Sequence, residues 1–318
     1  MTAIARGESS WLTDIRPQFD RHEADGIVER LQELNANGKR VAVTGLEGLI
    51  RSPHGIVEYA VMKRLFESFP RATFVNGTAL MYEVRVVKSE EEVAFIRKAV
   101  QIAEAAVQAL SDGARPGVKD CTVYAGMVAA EVADGGELPF MLAWHATKAG
   151  TPYRRLTQAT PNRIIQDGDL IYCQIEGKWQ GYCSQMDQVV TVGKVPDLVR
   201  QMYQAQLEAF HATLAAMKPG ATFGDMARAC AGTAEGKPYE AKMILHGRGL
   251  GEDWPLITSQ PSGDIATTEL QENFVVDIKP GIEVEGRDMW GRFGDTVRVT
   301  SNGAERLGSR SPAFMNVG

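Results

Sequence analysis

The sequence predicts an α+β chain of two domains, a small α/β domain over residues 1–84 and a larger domain over residues 85–318. Strand-like and helix-like stretches alternate in roughly the first 80 residues, as in a short α/β unit. Ser89 and Glu92 then form the capping-box pattern that begins a long helix. Beyond it, apolar stretches with strand character lie between helical patterns, at 170–174, 188–192, 274–278 and 296–299.

The smaller domain is predicted to contain alternating helices and strands. Apolar residues at helical spacing form a first helix, which ends at Asn37-Gly38, a pair typical of turns. The elements, in order, are a helix over 26–35, a strand over 40–45, a helix over 59–69 and a strand over 72–75.

Helical spacing and helix breakers define the helices of the larger domain. Val93, Ile96 and Val100 lie on one face of the helix that Ser89 begins, and Arg115-Pro116-Gly117 ends it. Further helices are predicted over 120–132, 196–217 and 223–231, with Lys218-Pro219-Gly220 separating the last two.

The composition argues against several kinds of partner. Charged residues make up 23% of the 318-residue chain and the hydrophobic set 44%, the balance of a soluble globular protein. The net charge is −6 and no cluster of Lys and Arg stands out, so neither nucleic acid nor an anionic membrane is an expected partner. The first residues lack the apolar core of a signal peptide, and no run approaches a membrane span, which predicts a cytoplasmic protein.

Four ordered segments carry the chemistry. The first is a hairpin pattern that opens with Gly168-Asp169, turns at Gly181-Tyr182 and reaches Asp187. The others are His246-Gly-Arg-Gly, Lys279-Pro-Gly and Asp295-Thr-Val. In this order the segments resemble the methionine aminopeptidase, prolidase and creatinase family.

The resemblance covers about two thirds of the chain, from residue 90 to residue 300. It implies the pita-bread fold for the larger domain and a truncated version of the creatinase and prolidase N-terminal domain for the smaller one. It also implies a homodimer. Because a fold does not determine an activity, the residues of the site have to decide the function.

Most ligand positions of the family's dinuclear metal centre are changed. The resemblance implies that His246 is a retained ligand, whereas Gln174, Gln185, Lys279 and Gly294 occupy the positions of carboxylate ligands. A carboxamide is a poor ligand for hard divalent ions, and an ammonium adds positive charge where a metal needs negative charge. We therefore predict a metal-independent protein with no cofactor.

Strand alternation indicates which side chains share the cavity with these positions. Because residues two apart lie on one face of a strand, Glu176, Asp187 and Asp277 are predicted to point the same way as Gln174, Gln185 and Lys279. This indicates a polar site that has been rebuilt, although drift in an inactive protein is the alternative. The predicted substrate-binding residues are Gln174, Glu176, Gln185, Asp253, Asp277 and Arg292.

Four residues are candidates for catalysis. His246 suits acid/base chemistry, and Asp187 occupies the place of a catalytic carboxylate in creatinase, the metal-free member of the family. Creatinase's own histidine corresponds to Thr157 here, so His145, in the same connecting segment, is a candidate substitute from a loop. Lys279 could bind a substrate anion or stabilise an oxyanion, or it could form a salt bridge that fills the cavity.

These residues predict a metal-independent enzyme acting on a small polar substrate, either carboxylated or aromatic. The expected chemistry is C–N hydrolysis, or a lyase or decarboxylase step. Arg154 and Arg155 are further candidate anion-binding residues. The alternative is a catalytically inactive pita-bread protein that binds a ligand or a protein partner. An Xaa-Pro aminopeptidase with two metals is disfavoured by the lost ligands.

Overall fold

The computed structural model describes residues 14, 16, 23–139, 141–152, 159, 163–258, 260–288 and 290–318. The chain divides into two compact units, Met1–Met81 and Tyr82–Gly318. Arg154, Arg155 and Thr157, which the sequence analysis singled out, lie outside the described residues.

The smaller unit contains a parallel pair of strands with helices in the α/β order. Val28 and Leu65, from its two longer helices, belong to one buried cluster together with Phe69. Strands β1 and β2 pair in register from Arg40 opposite Thr73. The elements are α1 (Glu23–Glu33), β1 (Arg40–Val43), α2 (Tyr59–Ser68) and β2 (Thr73–Asn76). Helix α3 (Thr78–Val86), which was not predicted from the sequence, begins in this unit and ends in the larger one.

Two long helices begin the larger unit. Helix α4 (Glu90–Gly113) starts with a complete capping box, in which Ser89 and Glu92 each bond the other's backbone N–H, as predicted. Helix α5 (Asp120–Ala133) packs against α4 around a core that includes Ile96 and Met127. Within the described residues, no helix combines the length and apolar character that a bilayer crossing requires.

A four-stranded sheet with the order β15-β7-β4-β3 packs against these helices. Strands β4 and β7 pair antiparallel with Gln174 opposite Asp187, which places these side chains on one face. The strands are β3 (Leu142–Lys148), β4 (Asp169–Ile175), β7 (Met186–Val192) and β15 (Met315–Val317), with β5 (Lys178–Trp179) and β6 (Tyr182–Cys183) forming the hairpin between β4 and β7.

A five-stranded sheet with the order β10-β9-β11-β13-β14 forms the second layer. Its apolar residues share a core with helices α6 (Asp197–Ala216) and α7 (Phe223–Gly232). The strands are β9 (Leu245–Gly249), β10 (Gly251–Ile257), β11 (Val275–Ile278), β13 (Asp295–Thr300) and β14 (Gly303–Arg306); the remaining elements are β8 (Glu240–Lys242), α8 (Gly263–Thr267) and β12 (Gly281–Glu283).

The two sheets meet beside the segments that the sequence analysis selected. Asp187 and Gly294 form an isolated antiparallel bridge, with both backbone N–H···O distances at 3.1 Å. The Thr296 hydroxyl accepts from the backbone N–H of Gln185 and donates to its carbonyl, at 2.9 and 2.8 Å. Arg310, near the C-terminus, donates to the backbone carbonyls of Asp187 and Gly294. These bonds hold β7 against the start of β13.

Helix α5 buries an acidic side chain inside the helix and sheet core. Glu131 is fully buried, and neither of its carboxyl oxygens has a hydrogen-bond partner within the described part of the chain. Burial raises the pKa of this carboxyl to about 8, and the neighbouring Glu176 acts in the same direction. The folded protein therefore keeps a proton on Glu131 at neutral pH.

We expect Glu131 to make stability fall as the pH rises. Because its pKa is higher in the folded chain than the 4.5 of an exposed glutamate, its contribution is complete below pH 4.5 and is lost as the pH rises through about 8. In wild type the free energy of unfolding should fall between about pH 5 and 8. Glu131→Gln should reduce this fall by roughly 2–4 kcal/mol, at about 1.4 kcal/mol per pKa unit. Urea unfolding of wild type and variant at both pH values measures this free energy. Exposed Glu91, changed to Gln, is the control; equal pH dependence in wild type and E131Q would contradict the assignment.

Candidate functional site

A buried ammonium lies at the centre of the site. Lys279 Nζ is 2.7 Å from Asp277 Oδ2, 2.8 Å from His246 Nε2 and 3.6 Å from Asp187 Oδ2. His246 Nε2 also lies 3.5 Å from Asp277 Oδ2. All four residues are at most 3% exposed. We call Lys279, His246, Asp277 and Asp187 the central cluster.

The strand ladders explain why these four side chains meet. His246 on β9 lies directly opposite Asp277 on β11, so both point to one face of the five-stranded sheet. Lys279 follows Asp277 by two residues and shares that face. Asp187 arrives from the other sheet, held by its bridge to Gly294.

Asp187 is oriented by partners on β4. Its Oδ1 accepts a short hydrogen bond from the Tyr172 hydroxyl and a 3.0 Å bond from Gln174 Nε2. Its Oδ2 receives no hydrogen bond from the described residues and points towards Lys279. One oxygen is thus occupied by positioning contacts, and the other faces the cluster.

A second group of charges adjoins the central cluster. Arg248 Nη1 lies 3.0 Å from Glu176 Oε2, and its Nη2 lies 3.6 Å from Glu252 Oε1 and 3.3 Å from His246 Nε2. Glu252 Oε1 is also 3.9 Å from His246 Nδ1. If Lys279 donates to Nε2, the ring proton is on Nδ1, on the side of Glu252.

Negative groups outnumber permanent cations here. Within the described residues, the carboxylates of Asp187, Asp277, Glu176 and Glu252 surround the cations of Lys279 and Arg248. Burial raises the pKa of the Asp277 carboxyl; Lys279 opposes this, whereas Asp187 adds to it. Such a site favours a ligand that donates hydrogen bonds over one that brings further negative charge.

Gly294 leaves the space that the central cluster fills. A Cβ at this position would lie 2.7 Å from Lys279 Cβ, 2.9 Å from Asp187 Oδ2 and 3.0 Å from Asp187 Cβ. Real Cβ atoms are not found at such short distances. Its lack of a side chain is what the packing of Lys279 and Asp187 requires, which counts against drift in an inactive protein as the origin of this glycine.

Asp253 does not join the central cluster, contrary to the sequence-based expectation. In the β9 and β10 ladder Asp253 lies opposite Gly247, whereas Glu252 lies opposite Arg248 and shares the face of His246. Asp253 instead forms ion pairs with Lys88 at 2.9 Å and with Arg85 at 2.8 Å. The acidic residue of this hairpin that reaches His246 is therefore Glu252.

His145 and Arg292 both lie beside Tyr172 and are not members of the central cluster. The sequence analysis placed His145 in a loop, but it is on β3, opposite Tyr172, because Leu142–Lys148 pairs along the whole of β4. Arg292 is paired with Asp288, and its guanidinium carbon is 5.8 Å from the centre of the Tyr172 ring. Both residues therefore neighbour Tyr172, whose hydroxyl bonds Asp187.

The sequence reasoning missed two residues that face the cluster and one that supports it. Tyr172 precedes Gln174 by two residues, so the alternation rule that selected Glu176 would also have found it. Glu252 could have been found from the tight β9 to β10 turn, which sets it opposite Arg248. Arg310 gave no local signal, since its contact with Asp187 spans 123 residues of sequence.

Comparisons with known proteins identify the family and the fold. Residues 94–301 match the profile of metallopeptidase family M24. The chain belongs to metallopeptidase family M24. The family resemblance and the pita-bread fold predicted from the sequence are thereby confirmed.

Relatives of this chain carry different names. An uncharacterized hydrolase/peptidase, y4tL, from Sinorhizobium fredii is 30% identical over 300 residues, which cover 92% of this chain and 72% of the relative. Agropine synthesis cyclase from Rhizobium rhizogenes is 29% identical over 245 residues, which cover 72% of this chain and 61% of the relative. The structure of an Xaa-Pro dipeptidase from Bacillus anthracis has a TM-score of 0.77 at 20% identity, covers 100% of this chain and 85% of its own, and shows the shared fold.

We expect Gly294→Ala to destabilise the protein by about 1–3 kcal/mol, the usual range for overpacking a tight site. The added Cβ would displace Lys279 or Asp187, whose Cβ atoms lie within 3.0 Å of its position. Gly126, on the exposed side of α5 with nothing within 4 Å, is the matched control, and Gly126→Ala should be neutral or stabilising. Chemical denaturation of both variants tests this, and an unchanged G294A protein would refute the described packing.

Proposed function

We propose that this protein is a metal-independent enzyme that hydrolyses a C–N bond in a small polar substrate by acid/base chemistry. The observation that carries the proposal is the buried Lys279 ammonium, 2.8 Å from His246 Nε2 and 2.7 Å from Asp277 Oδ2. The Lys279 ammonium, which is part of the protein itself, lies beside His246, the histidine that the family resemblance assigns to the metal centre. Its charge is available to stabilise negative charge that develops on a substrate.

The donor set supports the metal-independent part of the proposal. Two metal ions would need several carboxylates, but the positions concerned carry Gln174, Gln185, Lys279 and Gly294. In the parts of the chain that the structure describes, no group of three or more His, Cys, Asp or Glu side chains is arranged to hold a metal ion. The ammonium would also repel a divalent ion placed next to His246.

The reaction can be assigned to named atoms. In the proposed step, Asp187 Oδ2 accepts a proton from water while the water oxygen forms a bond to the carbonyl carbon of the substrate. Lys279 stabilises the resulting oxyanion. The carbonyl then re-forms as the C–N bond breaks, and the proton taken up by Asp187 is passed by way of His246 to the leaving nitrogen, which regenerates the Asp187 carboxylate and gives a carboxylic acid and an amine. Tyr172 and Gln174 keep Asp187 in position.

The relatives are compatible with chemistry other than peptide hydrolysis. One is named a cyclase and another a hydrolase/peptidase, although both resemble this chain over most of its length. The excess of carboxylates around Lys279 favours a substrate that presents N–H groups to the site. This departs from the sequence-based expectation of a carboxylated substrate.

A catalytically inactive, ligand-binding protein is the second candidate. It is favoured by the burial of the central cluster, whose four members are at most 3% exposed and already contact one another. In this case Lys279 balances the charge of Asp277 and Asp187 without taking part in a reaction. Binding of a compound without any product would distinguish this candidate from the enzyme.

The first functional test is a substrate panel assayed after chelation. N-acyl amino acids, ureido acids, lactams and Xaa-Pro dipeptides would be incubated with EDTA-dialysed protein, and products identified by mass spectrometry. We expect turnover of a non-peptide C–N compound and no gain on adding Mn²⁺, because no step uses a metal. Elemental analysis should find no stoichiometric metal. Two ions per chain with Mn²⁺-dependent Xaa-Pro cleavage would refute the proposal.

The second functional test separates the roles of the cluster residues with the substrate so found. His246→Ala should lower kcat by about two to four orders of magnitude, as expected for a positioned acid/base. Lys279→Met should lower kcat by about 10²–10³ with little change in KM, because it removes charge stabilisation from the transition state. Adding Asp277→Asn to Lys279→Met reduces the negative charge left by loss of the ammonium and guards against misfolding. Lys242→Met, outside the cluster, is the control, and full activity in both site variants would place the chemistry elsewhere.

A further inference from the structure

The side chain of Gln185 is buried without hydrogen bonds. Gln185 is fully buried, and neither Nε2 nor Oε1 of its carboxamide has a hydrogen-bond partner within the described residues. Its backbone, by contrast, is fully engaged with the Thr296 hydroxyl. A buried polar group left without a partner is costly, so an amide with both ends unmatched points to a ligand that supplies the missing bonds.

Gln185 faces the central cluster. It lies one residue before β7 and precedes Asp187 by two residues, so both side chains lie on one face if the β4 and β7 pairing extends to it. The backbone bond from Ser184 to Gly177 continues the β4 and β7 register and sets Gln185 opposite Glu176. Asp187 Oδ2, which also receives no hydrogen bond in the described structure, is a second unmatched acceptor on this face.

The unmatched atoms define the chemistry of the ligand. Nε2 of Gln185 needs an acceptor, whereas its Oε1 and Asp187 Oδ2 need donors. A carboxylate offers acceptors only and would add negative charge beside Asp187 and Asp277. An ammonium offers donors only and would leave Nε2 unmatched. A neutral group with both an N–H and a C=O satisfies Gln185 Nε2 and one of the two acceptors, and a primary amide or a ureide, with a second N–H, satisfies all three atoms.

We propose that Gln185 is a specificity-determining residue that selects a neutral amide, lactam or ureide group of the substrate. The ligand carbonyl accepts from Gln185 Nε2, and the ligand N–H donates to Gln185 Oε1 or to Asp187 Oδ2. The assignment rests on the proposed function, since it names the group that the same site would bind. It requires no turnover, so recognition can be measured independently of catalysis.

Three five-membered rings of similar size test the selection. 2-Pyrrolidinone offers an N–H and a C=O, γ-butyrolactone offers only the C=O, and pyrrolidine offers only N–H donors on a charged nitrogen. Ligand-observed NMR titration of the full-length protein would give their dissociation constants. We expect 2-pyrrolidinone to bind at least about tenfold more tightly than the other two, the difference expected from one unmatched hydrogen bond.

Variants of Gln185 provide the decisive comparison. Gln185→Leu should abolish the preference for 2-pyrrolidinone while keeping or raising the melting temperature, because it removes an unmatched buried polar group. Gln185→Glu should also lose the preference, since a carboxylate cannot donate. Exposed Gln201 on α6, changed in the same two ways, is the control and should retain it.

Specific outcomes would overturn the assignment. Equal binding of the three rings by wild type, or binding of none of them, contradicts it, as does a preference that survives Gln185→Leu. A preference that depends on Gln185 in a protein with no turnover of the panel would uphold the assignment and reject the catalytic proposal. Turnover of a panel compound with no such preference would reject the assignment alone.

Discussion

The site depends on the compensation of one buried charge. Removing an ammonium from water costs several kcal/mol, and Lys279 is compensated by Asp277 and Asp187 and by the ring nitrogen of His246. The compensation is mutual, since Asp277 and Asp187 would otherwise be like charges in a dry interior. Lys279 therefore couples β9, β11 and the start of β13 to β7, and Gly294 leaves the space in which this contact forms.

Strand periodicity accounts for how much of the site the sequence could predict. The predicted proximity of Asp277 and Lys279 agrees with their 2.7 Å ion pair, because it depends only on a two-residue spacing at the end of one strand. The same spacing underlies the predictions for Gln174 and Glu176 and for Gln185 and Asp187. The placement of Asp253 failed because it depends on the register of a hairpin, and a shift of one residue reverses the face. His145 was assigned to a loop because β3 acquires its strand structure from long-range pairing with β4.

Elements defined by neighbouring residues, such as helix caps and breakers, could be predicted from the sequence. Contacts between residues far apart in the chain could not. The capping box at Ser89 and the breaker at Pro116 defined α4 closely, since caps and breakers act within a few residues. Helix α3 was missed, as was the contribution of the C-terminal segment. Arg310 reaches Gln188 and the backbone of Asp187 across more than a hundred residues, and no periodic pattern encodes such a contact.

The residues that the family resemblance places at metal-ligand positions are best understood together. A fold that gathers several carboxylates at the junction of two sheets requires positive charge there, and Lys279 and Arg248 supply it in this chain. Two glutamines at the other positions remove negative charge that two side-chain cations alone would not balance. One of them, Gln174, is satisfied by Asp187 and Tyr172, whereas the carboxamide of Gln185 has no partner in the described structure. Contacts within the protein therefore account for Gln174, whereas the proposed amide ligand would supply the partners of Gln185.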